Sequence, residues 1–212
     1  MAMARSKDFK TPLGRLAFSQ SLFKPRSVTS GGPKRYGCTL IFEEKHRAFF
    51  SNIIAEVIKE QWSDKGIARA KAGGIRIPLL KGDGKEAHSK QSGELHPGFG
   101  PGLFFIRTQA NEERPPIVRW RDPNTPATQE EVYSGCYGAG VLNAFAWNHP
   151  QNGDGVSFGI RMFQKIKEGE SIGGIAPIDA NDWFEPVEDT GDLPAEMAGG
   201  AQGLFGADGL FG

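Results

Sequence analysis

The chain has 212 residues, which suits one domain with extensions, and its 38% hydrophobic residues include 15 Phe that can build a core. No apolar run reaches the roughly 18 residues of a membrane span, and the N-terminal residues lack the apolar core of a secretion signal. The net charge of zero hides a complete separation of charge. Residues 1–167 hold all 25 Lys and Arg with 15 acids, a net charge of +10, whereas residues 168–212 hold ten acids and no base. This asymmetry predicts a nucleic-acid-binding part followed by an acidic tail.

Two short strands are predicted at the start of the chain. Residues 1–12 carry several bases and few apolar side chains, which predicts a flexible basic arm. Residues 16–23 and 34–42 are apolar runs bounded by Pro and Gly, as strands between turns commonly are. The second of these runs places alternate apolar side chains on one face, which favours a half-buried strand.

A single helix and a long loop follow. Apolar residues recur at helical spacing from Glu43 to Trp62, which predicts an amphipathic helix with Gly66 just beyond its end. Residues 71–100 are rich in Gly, Pro and basic side chains and predict a basic loop. A loop of this length inside a domain is more often functional than structural.

Strands return after the loop and continue to the end of the basic part. Alternating apolar residues predict strands over 103–110, 115–123, 132–147 and 155–169. Three glycines predict a bulge where the sheet curls: Gly135, Gly138 and Gly140. Many short strands and one inserted helix predict a mainly β fold, an OB-fold-like five-stranded Greek-key barrel with basic loops and a disordered acidic C-terminal tail.

Three regions result from this pattern. Residues 1–12 are the flexible arm, residues 13–182 the OB-fold single-stranded-DNA-binding domain, and residues 183–212 the disordered acidic tail. The tail combines like charge with Gly, Ala and Pro, so it has too little apolar area to offset the entropy of ordering.

Motifs for catalysis and for metal binding are absent from the sequence. There is no phosphate-binding P-loop, no G-x-S-x-G nucleophile motif, and no C-x-x-C or H-E-x-x-H zinc motif. The four His are scattered along the chain. We therefore predict a protein that is not an enzyme and that needs no metal or cofactor.

Basic and aromatic residues are interleaved on the predicted strands. Single-stranded nucleic acid requires this combination, because cations follow the phosphates while aromatic rings stack on unpaired bases at about 1–3 kcal/mol each. Several other Phe are assigned to packing: Phe42, Phe49, Phe50, Phe145, Phe158 and Phe163. The predicted nucleic-acid-binding residues are Lys34, Arg35, Tyr36, Arg107, Arg119, Trp120, Arg121, Tyr133, Tyr137, Trp147 and Arg161.

Several segments also resemble a known family. They are IPLLKGDG (77–84), GLFFIRTQA (102–110), RPPIVRWRD (114–122), and VYSGCY followed by an alternating strand and GVSFGIRMFQKIKEGE. In this order they resemble a family of phage single-stranded-DNA-binding proteins that was first catalogued as a domain of unknown function. The resemblance covers about residues 15–180. It implies an OB fold and single-stranded-DNA binding in phage DNA replication, recombination and repair, and hence a location in the host cell cytoplasm.

The acidic tail suggests two roles beside such a domain. Its carboxylates are expected to occupy the basic groove when DNA is absent, and its two Gly-Leu-Phe-Gly copies are expected to recruit a phage or host polymerase, helicase or nuclease. The predicted partner-binding residues are Leu204, Phe205, Asp208, Leu210 and Phe211. A purely solubilising tail is the simpler alternative.

Two other functions remain open from the residues alone. A metal-dependent nuclease or another DNA-processing enzyme can use a similar barrel, with acids that converge from several strands. A non-catalytic scaffold or virion protein would carry the basic residues as a solvated surface. The three hypotheses differ in whether the protein prefers single strands and whether it cleaves them.

Overall fold

The structure is a computed structural model that describes residues 3–27 and 31–173. The predicted tail, with its partner-binding residues, lies outside these ranges. In the part of the chain that is described, no helix is long and apolar enough to cross a membrane.

Five strands close into a barrel. They are β2 (Gly14–Ala17), β4 (Thr39–Glu43), β7 (Leu103–Asn111), β9 (Tyr137–His149) and β10 (Gly153–Lys167). The order around the barrel is β2, β4, β7, β10, β9 and back to β2, with all pairs antiparallel except β7 and β10. This order is that of an OB fold, so the predicted five-stranded Greek-key barrel is confirmed.

Shorter strands extend the edges of the barrel. They are β1 (Phe9–Lys10), β3 (Arg35–Tyr36), β5 (Ile75–Arg76), β6 (Leu80–Lys81) and β8 (Ile117–Arg119). Strands β3 and β6 pair with β7, strands β5 and β8 pair with β10, and β1 pairs with β9. The predicted strand over 34–42 is therefore two strands, with Gly37 and Cys38 between them. Any Cβ at Gly37 would lie 2.1 Å from the Thr108 carbonyl oxygen, so this position excludes a side chain.

The barrel interior is filled by alternate strand residues. Leu40, Phe104, Ile106, Leu142 and Phe158 are fully buried there, and the intervening residues of each strand point outward. The expected irregularity near the glycines is present, since the β9–β10 register shifts between Lys165 and Lys167, beside Gly138. A Cβ on Gly138 would lie 2.4 Å from the Phe163 ring, so this position excludes a side chain.

The helix α1 (Arg47–Lys71) covers one end of the barrel, and it extends nine residues beyond the predicted end at Trp62. The prediction ended at Trp62 because the apolar residues at helical spacing end there. In the structure Ser63 leaves the helical conformation, with φ 59° and ψ −163°, and the helix resumes after this kink. Gly66 is not beyond the helix but buried within it. A Cβ at this position would lie 2.6 Å from the Cβ of Trp62, so the second part of the helix packs closely on the first.

The N-terminal arm differs from the flexible segment that the sequence predicts. Residues 3–12 lie along the edge of β9, where Ser6 N donates to the Ala144 carbonyl at 2.8 Å and Phe9 pairs with Leu142. The Phe9 ring contacts the Phe158 ring at 6.1 Å and so joins the core. The arm is ordered because β9 offers unpaired backbone groups that it satisfies.

A second, smaller core lies outside the barrel. The predicted basic loop folds back over the outward face of β4 and β7, where Ala87 and Phe99 bury Ile41 and Phe105. The Phe99 and Phe105 rings meet edge to face at 4.9 Å. The loop is therefore anchored, and it forms a wall beside the exposed remainder of this face.

Phe50 is the side chain on which the contact between helix and barrel depends. Its ring contacts those of Phe9, Phe42, Phe49, Phe104 and Phe158. Phe50→Ala should lower the free energy of unfolding by about 3–5 kcal/mol, because it removes a large buried side chain and leaves a cavity. Urea denaturation measures this loss. Phe49→Ala, on a ring that is 39% exposed, serves as the control and should cost clearly less; equal losses would contradict this packing.

Candidate nucleic-acid interface

A cleft of about 820 Å³ opens on the outward face of the barrel. Its floor includes Thr39 of β4 and Arg107 and Gln109 of β7. One wall is the connection from β2 to β4, the other is the folded loop near His96 and Phe99, and Ile172 and Gly173 line one end. The outward face of the second and third barrel strands is where OB folds bind oligonucleotides, and β4 and β7 are those strands here.

Three guanidinium groups line the cleft: those of Arg26, Arg35 and Arg107. Arg26 and Arg35 are neighbours because their backbones form an antiparallel bridge, with N–O distances of 2.9 and 3.0 Å. Arg35 Nη1 donates to Gln109 Oε1 at 3.0 Å, and Arg107 Nη2 donates to the Glu86 carbonyl at 2.9 Å. Within residues 3–27 and 31–173, no carboxylate pairs with any of the three, so their charge is available to an anion.

Aromatic rings lie beside these cations. Phe18 is 49% exposed, and its backbone adopts the left-handed conformation with φ 55° and ψ 45°. Such a conformation costs a non-glycine residue about 1–2 kcal/mol, and strain of this kind clusters at functional sites. The Phe18 ring contacts the His96 ring edge to face at 5.3 Å, and the half-buried Tyr36 also lines the cleft.

Three of the predicted residues line this cleft: Arg35, Tyr36 and Arg107. Lys34 is exposed immediately before them but is not part of the lining. Phe18, Arg26 and His96 also line the cleft, although the sequence did not predict them. The left-handed backbone of Phe18 and the bridge between Arg26 and Arg35 are features that no periodic pattern in the sequence signals.

A second group of predicted residues surrounds a buried lysine instead. The ammonium of Lys165 lies 4.1 Å from the Trp120 ring centre and 4.9 Å from that of Tyr133. It donates to the Glu131 carbonyl at 2.6 Å and pairs with Glu168 at 2.7 Å. Trp120 and Tyr133 are both half-buried, and each ring has the Lys165 ammonium on one side.

Two neighbours of this group remain at the surface. The guanidinium of Arg121 lies 5.1 Å from the Trp120 ring centre, and Arg121 is exposed. Arg119 is half-buried at the end of β8. Tyr137 packs under the guanidinium of Arg15 at 5.9 Å, close to Gly169.

The remaining predicted residues lie on the outward face of β9 and β10. Trp147 covers Gly155, and its indole nitrogen donates to Ser157 Oγ at 2.9 Å. Arg161 is exposed and pairs with Asp8 at 3.3 Å. Phe145, which the sequence analysis assigned to packing, is only half-buried on this face, beneath the guanidinium of Arg5.

The cysteines at the barrel wall are neutral thiols. Burial raises the pKa of Cys38 to about 12 and that of Cys136 to about 11, so neither is a thiolate near neutral pH. Among the described residues, no group of three or more His, Cys, Asp or Glu side chains is placed to hold a metal ion.

The chain leaves the barrel toward the cleft. After β10, Glu168 is held by Lys165 and by the Tyr133 hydroxyl, which donates to it at 2.7 Å. Arg15 Nη2 then donates to the Glu170 carbonyl at 2.8 Å, and Ile172 N donates to the Ser134 carbonyl at 2.8 Å. These contacts bring Ile172 and Gly173 to the cleft.

Comparisons with known proteins agree with this geometry. The family described as Enterobacter phage Enc34, ssDNA-binding protein, matches residues 9–194. The fold is similar to the single-stranded DNA-binding protein from bacteriophage Enc34 in complex with ssDNA, at 18% identity and a TM-score of 0.57, over 78% of this chain and 89% of that one. It is also similar to gp2.5, a single-stranded DNA-binding protein of bacteriophage T7, at 12% identity and 0.51, over 92% and 100%. No curated sequence matches.

The anchoring of Glu168 predicts a pH-dependent stability. Burial raises the pKa of Glu168, but hydrogen bonds from Lys165 and Tyr133 and the Lys165 charge outweigh it, so the pKa lies below its ordinary value. The stabilisation is therefore present above the unfolded Glu pKa of about 4.3 and is lost as the pH falls through the lower folded value.

Glu168→Gln should accordingly lower the melting temperature near neutral pH. The difference from the unmodified chain should shrink as the pH falls below about 4, because protonation of Glu168 then progressively removes its charge. Glu170→Gln is the matched control, since the Glu170 side chain is 91% exposed and lies 3.9 Å from Arg15. A Glu168→Gln difference that stays constant with pH would contradict the assignment.

Proposed function

We propose a function for a chain that belongs to the Enterobacter phage Enc34 single-stranded-DNA-binding protein family. It binds single-stranded DNA without sequence preference, and its cleft on β4 and β7 holds the strand. We further propose that it does so during phage DNA replication, recombination and repair in the host cell cytoplasm.

The observation that carries the proposal is a set of three arginines that have no acidic partner among the described residues and that share a cleft with an exposed aromatic ring. Arg26, Arg35 and Arg107 contribute three positive charges to one cleft. Phe18 contributes an exposed ring on a backbone in the left-handed conformation. Guanidinium groups bind phosphate oxygens, and an exposed ring stacks on any base, since every base has an aromatic face. Neither contact reads the identity of a base.

The same groups favour a single strand over a duplex. In a duplex the base faces are stacked on one another and are not available to Phe18 or Tyr36. Backbone contacts to phosphate remain possible with a duplex, so weak binding to it is expected. Binding alone uses all of these groups, and the proposal includes no catalytic step.

The acidic tail is proposed to compete with DNA for the cleft. Residues 168–212 carry ten acids and no base, and the last described residues of the chain line the cleft. A tethered acidic segment therefore has a high effective concentration at the three arginines. When DNA displaces it, Leu204, Phe205, Asp208, Leu210 and Phe211 become available for a polymerase, helicase or nuclease partner.

Phe18→Ala tests the cleft as the DNA site. The change should weaken binding to labelled oligo-dT by about 1–3 kcal/mol, the usual value of one stacking contact.

Arg107→Ala should reduce the slope of log affinity against log salt by about 0.7, the value for one phosphate contact on a single strand. Fluorescence anisotropy measures both, with Phe49→Ala on the helix as the exposed aromatic control. Unchanged affinity and slope in both cleft variants would place the DNA elsewhere.

Removing the acidic tail tests the competition. A chain of residues 1–182 should bind oligo-dT more tightly than the full chain at low salt, and the two should converge at high salt because salt screens the tail. A peptide of residues 183–212, added separately, should weaken binding of the shortened chain. Equal affinities of the full and shortened chains at all salt concentrations would support a solubilising tail instead.

A further inference from the structure

We propose that single-stranded DNA leaves the cleft across β10 and reaches a second contact point on β9, formed by Arg5 and Phe145. This inference rests on the proposed function, because it extends the path of the same ligand. It adds a surface that the cleft does not include and that the sequence analysis assigned to packing and to a flexible arm.

The barrel register makes the surface continuous with the cleft. Ser157 of β10 lines the cleft, and it pairs with Phe145 of β9. On its other side, Phe158 pairs with Thr108, which places Ser157 beside the outward Arg107. Arg107, Ser157 and Phe145 thus form one outward row across three adjacent strands.

A second row runs beside the first. Gln109 lines the cleft and pairs with Gly159, and Gly159 pairs with Asn143 of β9. Gly159 has no side chain, and the Asn143 amide lies over it, since a Cβ on Gly159 would lie 2.9 Å from Asn143 Oδ1. Neighbouring strands are about 4.8 Å apart, so β9 lies only about 10 Å from the cleft floor.

On β9 both rows end beside the same positive charge, the guanidinium of Arg5. Arg5 Nη1 donates to Asn143 Oδ1 at 3.3 Å, and the Arg5 guanidinium lies 5.3 Å from the centre of the Phe145 ring. Arg35 donates to Gln109 in the same way at the cleft end. A phosphate or a base that crosses the rows therefore meets a guanidinium on both sides.

The backbone holds Arg5 in this position. Ala146 N donates to the Ala4 carbonyl at 2.9 Å, and Ser6 N donates to Ala144. Arg5 nevertheless remains exposed, and it forms no ion pair with a carboxylate of the described residues. If Arg5 only held the arm on β9, its guanidinium would not have to be exposed to solvent. Here one side of the guanidinium covers Phe145 and the other is free to contact DNA.

The surroundings favour an anion. Lys7 and Lys10 are exposed on the same arm, and the carboxylate of Asp8 is paired with Arg161 at 3.3 Å. Trp147 borders the first row through its hydrogen bond to Ser157. The positive charges and the half-exposed Phe145 ring repeat the chemistry of the cleft, which suits the same ligand.

Oligonucleotides of different length distinguish binding at this surface from binding in the cleft. Oligo-dT of about 4 and about 16 nucleotides spans the usual range of site sizes for one OB fold, and only the longer one can cover both surfaces. Arg5→Glu should lower the affinity for the longer oligonucleotide at least about fivefold and leave the shorter one unchanged. Phe145→Thr, which places a β-branched residue suited to a strand at this position, should have the same selective effect without a change in charge.

Lys45→Glu is the matched control for the charge reversal. Lys45 is exposed and follows the end of β4 that lies away from the cleft-lining Thr39. Equal effects of Arg5→Glu and Lys45→Glu on the longer oligonucleotide would overturn the proposal, and so would equal losses for both lengths in Arg5→Glu and Phe145→Thr. If Arg107→Ala leaves both lengths unaffected, the proposed function itself fails, whatever the result for Arg5.

Discussion

The parallel pairing of β7 with β10 is the interaction on which the site depends. It closes the barrel, and it fixes which residues of β7 point inward with Phe104 and Ile106 and which point outward with Arg107 and Gln109. Since side chains alternate along a strand, a shift of one residue would bury Arg107 and expose Ile106. The filled interior therefore determines the register, and the register determines where the positive charge lies.

The fold brings part of the positive charge of residues 1–167 together in one cleft. Arg26, Arg35 and Arg107 come from two separate parts of the chain and meet without acidic partners among the described residues. Contacts from Lys165, Tyr133 and Arg15 hold Glu168 and Glu170, the first two acids of the acidic part, and Ile172 and Gly173 line the same cleft. We propose that this acidic part competes with DNA for the three arginines.

The sequence predicted the barrel better than it predicted the site. Alternation of apolar residues in 103–110 and the long strands after 132 predicted the OB fold, and Arg35, Tyr36 and Arg107 of the predicted set line the cleft. Phe18, which lines the cleft with a left-handed backbone, was not predicted, because no sequence pattern signals that conformation. Tyr133 and Trp120 look like stacking residues in sequence, but a distant residue, Lys165, lies between their rings. Contacts between remote segments decide which aromatic residues are available, and periodicity cannot report them.

Binding of the full chain to labelled oligo-dT and to a matched duplex, measured by fluorescence anisotropy across a salt series, is the most direct test of the proposed function. The proposed function predicts a clear preference for the single strand. It also predicts a log–log salt slope of about −2 or steeper, because three arginines contribute about 0.7 each. Equal affinity for both ligands, or affinity for oligo-dT that does not change with salt, would contradict it, because the arginines and Phe18 would then not contact phosphates and unpaired bases.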